Sequence, residues 1–182
     1  MQKAFVILAF LLAAGPSYAQ PPESRGSVSA VGGLGKTLDD EGSLGGGWLI
    51  GGAIDRIVFG RTRAELSFEV IAHHRGSGSF QSKGQTVIGG LSLVRRFGSG
   101  SAQPYVFGGV TVGYHDGTSF FNGDPVPISS TDTGLRFGTG VAFRMGSRFE
   151  LSPEVRTNGF FIDRDSDPAT LPSFGVRFGW RM

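Results

Sequence analysis

The sequence predicts an all-β fold in which eight strands close into an antiparallel, up-and-down transmembrane β-barrel. Three observations predict this fold. Glycine makes up 31 of the 182 residues, and glycine is costly inside helices. Eight segments alternate large apolar residues with small or charged ones, as strands with two different faces do. The connections between these segments alternate between short and long, as they do in transmembrane barrels.

The first 19 residues have the features of an export signal. Lys3 precedes the apolar run AFVILAFLLAAG, and Ser17 and Ala19 are small residues of the kind a signal peptidase recognises. The run is shorter than the ~20 apolar residues of a membrane-spanning helix. We therefore expect residues 1–19 to be a cleaved secretory signal peptide and residues 20–182 to form one outer-membrane barrel domain.

The composition narrows the classes of function. The chain has no cysteine, and its formal net charge is +2. Without a cysteine no disulfide can form, although the chain is exported. No lysine-rich tract marks a nucleic-acid interface, so we expect no nucleic-acid partner. The sequence also gives no reason to expect a cofactor.

The eight segments differ in how clearly their two faces can be distinguished. The first two are rich in glycine, and the fifth contains QPYVFGGVTVGY. The third alternates Arg63, Glu65, Ser67 and Glu69 with Ala64, Leu66, Phe68 and Val70. The sixth, seventh and eighth (GLRFGTGVAFR, RFELSPEVR and FGVRFGWRM) repeat this two-faced pattern. The predicted strands are 26–37, 44–55, 60–72, 84–97, 103–115, 132–145, 147–159 and 171–182.

The longer connections are predicted to form surface loops at one end of the barrel. These loops are 73–83, 116–131 and 158–170, whereas DRIVF, GSGSA and MGS form the short turns at the other end. Loops on a rigid scaffold commonly carry binding functions. Four phenylalanines in these loops are expected either to be exposed contacts or to enter the lipid interface: Phe120, Phe121, Phe160 and Phe161.

The alternation by itself allows two orientations of the strands. A soluble barrel buries its apolar row, whereas a membrane barrel turns that row toward lipid. An eight-stranded barrel has too little interior volume for so many large apolar side chains. We therefore expect the apolar row to face lipid, with aromatic girdles at both interfaces. The aromatic residues assigned to the girdles are Trp48, Phe97, Tyr105, Tyr114, Phe143, Phe149 and Trp180.

The charged row is then expected to fill the interior with ion pairs, because an unpaired buried charge is costly. Four arginines and four glutamates share this row: Arg63, Arg136, Arg156, Arg177, Glu65, Glu69, Glu150 and Glu154. Arg144 and Glu150 flank one turn on the same face, so they form the best-defined predicted pair. Such a network would plug the lumen, and we expect the barrel not to be a general pore.

Three short motifs are compatible with ligand chemistry but lack the context it needs. AVGGLGKT at 30–37 nearly matches a phosphate-binding loop, yet no helix follows it, so we interpret it as a glycine-rich strand. DRDSD places Asp163, Asp165 and Asp167 at alternate positions, which permits a weak divalent-ion contact or a solvated acidic loop. His73 and His74 point to opposite faces of a strand, and His115 lacks further ligands, so no metal site is predicted.

Two alternative functions remain open at the level of sequence. A lipid-modifying enzyme would need a nucleophile, a base and an orienting acid near the membrane surface. Ser77, His73 and Glu69 are candidates, but their spacing matches no known motif, so we predict no catalytic site and no enzyme. The other alternative is a soluble periplasmic barrel that holds a lipid inside, as lipocalins do.

Together, the leader, the eight alternating strands, QPYVFGGVTVGY, RFELSPEVR and the aromatic last strand resemble the small outer-membrane β-barrel family, which includes OmpA-like transmembrane domains and OmpX-like proteins. The resemblance implies a bacterial outer-membrane location and contact with the bilayer and lipopolysaccharide. It also implies insertion by the barrel-assembly machinery, which recognises a terminal Phe or Trp. Here Met182 takes the last apolar position and Trp180 the one before. The implied role is structural or surface interaction, with an unspecified extracellular ligand.

Overall fold

The computed structural model describes residues 26–37, 45–77, 80–121, 123–161 and 169–182. In these ranges no helix is long and apolar enough to cross a membrane. The eight strands are β1 (Gly26–Thr37), β2 (Gly45–Phe59), β3 (Thr62–Ser77), β4 (Phe80–Arg96), β5 (Ala102–Phe121), β6 (Asp124–Met145), β7 (Phe149–Phe161) and β8 (Ala169–Arg181).

The eight strands form one closed barrel in which each strand pairs with its neighbours in sequence. All pairings are antiparallel, and β8 returns to β1 with Trp180 opposite Val28 and Phe174 opposite Leu34. Closure leaves no open sheet edge, which hydrocarbon would not tolerate because it cannot hydrogen-bond free backbone groups. The predicted eight-stranded antiparallel barrel is confirmed.

The turns at one end of the barrel are tight. Gly60, between β2 and β3, has a φ of 52°, and Gly146, between β6 and β7, has a φ of 70°. Glycine adopts this left-handed conformation without a steric penalty, which lets these hairpins reverse within a few residues. We call this end the short-turn end and the opposite end the long-hairpin end.

The long hairpins differ from the prediction, since most of the predicted loops 73–83 and 116–131 are strand. β3 continues to Ser77 and β4 starts at Phe80, while β5 and β6 pair as far as Phe121 and Asp124. Polar and glycine-rich residues there resemble a loop, yet continuous pairing with the neighbouring strand keeps them extended. In the third predicted loop, β7 reaches Phe161 and β8 begins at Ala169, and residues 162–168 lie outside the described part.

The apolar row faces outward and the charged row faces inward, as predicted. Leu66 and Phe68 are 61% and 57% exposed, whereas the intervening Ser67 is buried. The four interior arginines predicted from sequence are all buried. The alternative of a soluble lipid-holding barrel is therefore wrong, because its apolar row would have to line the interior.

Aromatic residues mark both ends of the outer wall, with one exception. Trp48 and Tyr114 are exposed toward the long-hairpin end, and Phe143 and Trp180 are exposed toward the short-turn end. Tyr105 was also assigned to a girdle, but it is buried inside the barrel. The error arises because β5 carries large apolar residues on both faces, so its alternation does not identify the inward row.

Candidate functional site

The most distinctive chemistry of the molecule lies inside the barrel, near the short-turn end. Asp55 of β2 accepts hydrogen bonds from Arg63 Nη1 (2.6 Å) and from Ser27 Oγ (2.5 Å). On the opposite wall, Arg96 of β4 donates two hydrogen bonds to Glu150 of β7, at 2.5 and 2.8 Å. Parallel double hydrogen bonds of this kind fix both position and orientation.

A second layer forms around Glu154 of β7. Arg177 of β8 contacts Glu154 at 3.2 Å and also donates to Glu65 of β3. Arg156 Nη2 donates to Glu154 Oε1 at 2.5 Å, and the Tyr105 hydroxyl donates to Glu154 Oε2 at 2.7 Å. This carboxylate therefore joins β5, β7 and β8 across the lumen.

A third layer centres on Glu69 of β3. Its Oε1 accepts hydrogen bonds from Arg136 Nη2 (2.7 Å) and from Arg156. Arg136 is completely buried and also donates to Ser67. Such a charge is tolerated in a low-dielectric interior only when it is paired and hydrogen-bonded.

The second and third layers form one continuous sequence of contacts, which we call the ion-pair chain. Three glutamates alternate with three arginines, so their formal charges cancel. In order of contact the members are Glu65, Arg177, Glu154, Arg156, Glu69 and Arg136. They come from β3, β6, β7 and β8, so the ion-pair chain crosses the interior between strands that are not neighbours.

Glycines on the inward row make room for these long side chains. A methyl group on Gly90 of β4 would lie 2.5 Å from Arg136 Nη1 and 2.9 Å from Ser67 Oγ. The neighbouring Gly89 faces outward, and a methyl group there would meet nothing within 4 Å. The high glycine content thus serves the packing of the interior as well as the turns.

Toward the long-hairpin end the interior becomes apolar. We call this cluster the apolar layer, and it consists of Val31, Leu49, Ile71, Ile88, Phe160 and Leu171. Phe160 is fully buried, so its predicted place as an exposed contact or interfacial anchor is wrong. It continues the inward row of β7 beyond Arg156 and Asn158. Phe120 is half-buried, and the side chains of Phe121 and Phe161 lie outside the described part.

A small polar cluster lies beside the apolar layer. Thr86 Oγ1 is 2.8 Å from His115 Nδ1, and His115 Nε2 is 3.5 Å from Asp132 Oδ2. The Ser130 hydroxyl donates to the same Asp132 oxygen at 2.8 Å. The order hydroxyl, imidazole, carboxylate is that of a hydrolase triad. Thr86, however, is completely buried inside the barrel, where a lipid on the outer wall has no access to it.

The enzyme candidates taken from sequence do not come together. Glu69, His73 and Ser77 are separated by four residues each along the extended backbone of β3, which puts their successive Cα atoms about 13 Å apart. The Glu69 carboxylate is already bound by Arg136 and Arg156. The side chains of His73 and Ser77 lie outside the described part. The physical obstacle is the extended strand, which keeps residues on one row apart.

The structure also shows where some of the remaining sequence motifs lie. AVGGLGKT lies wholly within β1, so its interpretation as a strand is confirmed. Asp163, Asp165 and Asp167 lie outside the described residues. His74 is exposed on the outer wall. In the described ranges no group of three or more His, Cys, Asp or Glu residues is arranged to hold a metal ion.

Sequence reasoning found the glutamates and arginines of the interior but missed several of their partners. Arg144 and Glu150 lie opposite each other in register, as predicted, whereas the bidentate partner of Glu150 is Arg96. Asp55 and Tyr105 were also missed. Asp55 follows GGAI in a glycine-rich strand, where the alternation does not show which row faces inward. The available signal was the neighbouring Arg56, because adjacent residues of a strand point to opposite faces.

The sequence itself places this architecture among known proteins. It matches the family model for the outer membrane protein beta-barrel domain over residues 5–181. The chain belongs to that family. It is accordingly a protein of the bacterial outer membrane, with its apolar outer wall in contact with the lipid bilayer. In this class short turns face the periplasm and longer connections face outward, which orients the short-turn end toward the periplasm.

Solved structures with the same fold are distant in sequence. Neisserial surface protein A (NspA) aligns at a TM-score of 0.67 and 16% identity, covering 89% of this chain and all of NspA. Ail, the attachment invasion locus protein of Yersinia pestis, aligns at 0.60 and 16%, covering 88% and 100%. The outer membrane enzyme PagL aligns at 0.54 and 18%, covering 86% and 99%. A search of curated protein sequences gives no significant match. These likenesses establish the fold alone.

Proposed function

We propose that this protein is a plugged outer-membrane barrel with a structural or surface-interaction role, rather than a general pore or an enzyme. The observation that supports the proposal is the ion-pair chain. Its six side chains are each at most 10% exposed and are held from several strands at once. The apolar layer stacks on it toward the outside, beside the polar cluster of Thr86, His115 and Asp132.

The cost of opening such an interior supports a closed lumen. A permeating ion would have to separate arginine–glutamate pairs that bind each other from different strands. Breaking a buried pair by removing one partner typically costs about 3–5 kcal/mol. Several coupled pairs make spontaneous opening rare. The rigid barrel would then serve to hold the hairpins that project from the long-hairpin end.

Those hairpins are the proposed interaction surface. β5 and β6 continue past the apolar layer, and Val126 and Ile128 there are 49% and 52% exposed. Exposed apolar side chains on a projecting rigid hairpin suit contact with a partner outside the cell, or with lipopolysaccharide. The name of Ail describes attachment, which is compatible with this use of the fold. The barrel-assembly machinery is the proposed partner during insertion.

Conductance in planar bilayers tests the plugged state. We expect the refolded parent protein, whose folding is verified by heat-modifiable migration on a detergent gel, to give no steady conductance. A variant that removes one half of the ion-pair chain, E69S/R136S/R156S, serves as the open comparison and should conduct if it folds. Steady conductance of the parent would contradict the proposal.

A trimmed hairpin separates the two proposed roles. The variant replaces residues 117–128 by the turn Asn-Gly, which joins the paired residues Asp116 of β5 and Ser129 of β6. If the role is structural, cells that lack the protein are sensitive to detergent, and both the parent and the trimmed barrel restore their resistance. If the hairpin provides surface interaction, only the parent restores binding of cells to a surface. Failure of the parent in both assays would contradict both roles.

A lipid-modifying enzyme is the second candidate, because PagL shows that a barrel of this fold can be an enzyme. We propose that the present chain is not one, since its triad-like Thr86–His115–Asp132 arrangement is inside the lumen. Lipid A composition of cells expressing the parent, H73A/S77A and T86A tests this. An unchanged composition in all three supports a non-enzyme. A change in lipid A composition that the parent causes and that either variant abolishes would overturn the proposal.

The signal peptide remains a prediction for residues 1–19. N-terminal sequencing of the protein purified from outer membranes should begin at Gln20. Retention of Lys3 in the mature protein would contradict it.

A further inference from the structure

Charge is distributed very unevenly around the short-turn end of the barrel. Besides Arg144, five arginines there are at least partly exposed, and we call these five the arginine rim: Arg56, Arg61, Arg95, Arg148 and Arg181. None of the five forms an ion pair with any described residue. The interior network therefore does not account for these five positive charges.

The acidic residues nearest this rim are already engaged inside. They are Asp55, Glu65 and Glu150, all buried. They are bound by Arg63, Arg177 and Arg96, respectively. The rim therefore carries an excess of positive charge toward the periplasm. The long-hairpin end, by contrast, has Asp116, Asp124 and Asp132 among its described residues.

Two rim arginines lie near the periplasmic ends of lipid-facing columns of side chains. On β2, Ile54, Arg56 and Val58 point outward, and on β4, Leu91 and Leu93 are followed by Arg95. β3 lies between these strands, so the Cα atoms of Arg56 and Arg95 are about 10 Å apart across it. Long arginine side chains reach a common point over that distance, at the level where the hydrocarbon ends.

The turn between β2 and β3 adds a third arginine and an apolar anchor. Arg61 lies in this turn, next to Phe59, whose side chain is 69% exposed. Arg95 Nη1 donates to Thr62 Oγ1 at 3.0 Å, which holds its guanidinium beside the turn. Its Nε is buried and has no hydrogen-bond partner among the described residues.

The second part of the rim repeats the combination of arginine and aromatic ring. The guanidinium carbon of Arg148 lies 5.8 Å from the centre of the Trp180 ring. Arg181 donates to the Ser147 carbonyl. A soluble polyanion would need arginines alone. The adjoining Phe59, Val58 and Trp180 instead suit a ligand with both an anionic head and an acyl chain.

We propose that Arg56, Arg61 and Arg95 form a binding site for the phosphate of an anionic phospholipid in the inner leaflet, with Arg148 and Arg181 extending the contact around the rim. The planar guanidinium presents paired donors that match phosphate oxygens. Ile54, Leu66 and Leu93 are exposed on the membrane side of these arginines and contact the acyl chain, while Phe59 and Val58 flank the headgroup. The ligand class is a phosphatidylglycerol-type lipid, which carries a net negative charge, unlike phosphatidylcholine.

The two tryptophans provide a direct test, because Trp180 lies at the rim and Trp48 at the opposite end. The W48F protein is reconstituted in phosphatidylcholine vesicles that contain a small fraction of dansyl-labelled phosphatidylglycerol or dansyl-labelled phosphatidylcholine. Energy transfer from Trp180 then reports the lipid at the rim. We expect several-fold enrichment of the anionic lipid, since each arginine near an anionic surface changes the local population by about fivefold. The enrichment should fall with salt.

Two variants locate the site in the same background. R56Q/R61Q/R95Q should lose most of the enrichment, and R56K/R61K/R95K, which keeps the charge but not the paired donors, should retain part of it. The W180F protein, which reports the Trp48 end, should show no enrichment. Heat-modifiable migration verifies folding, and the single variants R56Q, R61Q and R95Q replace the triple variant if it does not fold.

Three results would overturn the proposal. One is equal energy transfer to the two lipids in the W48F protein. Another is enrichment that persists in R56Q/R61Q/R95Q. The third is loss of enrichment on adding inorganic phosphate but not sodium chloride of equal ionic strength, since that would assign the site to free phosphate rather than to a lipid headgroup.

Discussion

The two halves of the barrel interior are stabilised by different forces. Near the periplasm, the ion-pair chain holds four strands together through charged hydrogen bonds of defined direction. Toward the outside, the apolar layer fills the same cross-section with side chains that have no directional requirement. Asn158 lies between them on β7, is fully buried, and has no hydrogen-bond partner among the described residues. The periplasmic half also holds a smaller apolar cluster around Phe107, and the outer half a polar cluster around His115, so the contrast concerns the dominant interaction in each half.

This contrast implies different tolerance to substitution. In the charged half, removing one partner leaves another charge buried and unpaired. In the apolar half, a smaller residue loses contacts and leaves a cavity, but creates no unsatisfied charge. The free energy of unfolding of each variant can be measured in lipid vesicles by urea titration, with gel migration as the readout of folded protein.

The largest effect is expected where one glutamate of the ion-pair chain binds two arginines. Glu69→Ala removes the acceptor shared by Arg136 and Arg156, and should lower the free energy of unfolding by about 3–5 kcal/mol. The double variant E69M/R136M removes one negative and one positive charge, leaves Arg156 paired with Glu154, and should recover much of this loss. A loss below about 1 kcal/mol for Glu69→Ala would mean that the ion-pair chain does not stabilise the barrel.

A smaller effect is expected where glycine makes room for the ion-pair chain. Gly90→Ala places a methyl group against Arg136 and Ser67, and overpacking of this kind costs about 1–3 kcal/mol. Gly89→Ala is the matched control, since it adds the same methyl group one residue away in open space. Equal unfolding free energies for the two variants would show that Arg136 is not tightly confined.

The apolar layer should tolerate a conservative change. Ile88→Val removes one methylene from a fully buried side chain and should cost about 0.5–1.5 kcal/mol. Conductance should stay at the parent level, because neighbouring apolar side chains still fill the cross-section. A larger loss, or an open channel, would remove the contrast between the two halves.

The smallest effect on stability is expected outside both halves. Arg56→Gln lies on the outer wall of the arginine rim and should change the free energy of unfolding by less than about 0.5 kcal/mol, measured in phosphatidylcholine vesicles without anionic lipid. A large destabilisation there would give Arg56 a structural role, and its use as a probe of lipid binding would then fail.

The strand alternation made most of the fold predictable. The bounds predicted for the first strand match β1, and Arg63, Arg136, Arg156 and Arg177 are buried as predicted, whereas Arg144 is half-buried. The prediction failed where alternation carries no information. β5 has large apolar residues on both faces, which misplaced Tyr105, and the polar ends of β3 to β6 resemble loops although they pair as strands. Phe160 was misplaced because its segment was interpreted as a surface loop instead of the end of β7.

The sequence by itself determined that there are eight strands, which row of each meets lipid, and that arginine and glutamate share the interior. Those properties are local, because side chains alternate between faces every second residue. Only the tertiary structure decided which charges meet. Arg96 and Glu150 are 54 positions apart in sequence, and Arg177 and Glu65 are 112 apart. Closure of the barrel and the stagger of its strands bring them together, and these are properties of the whole sheet rather than of any one segment.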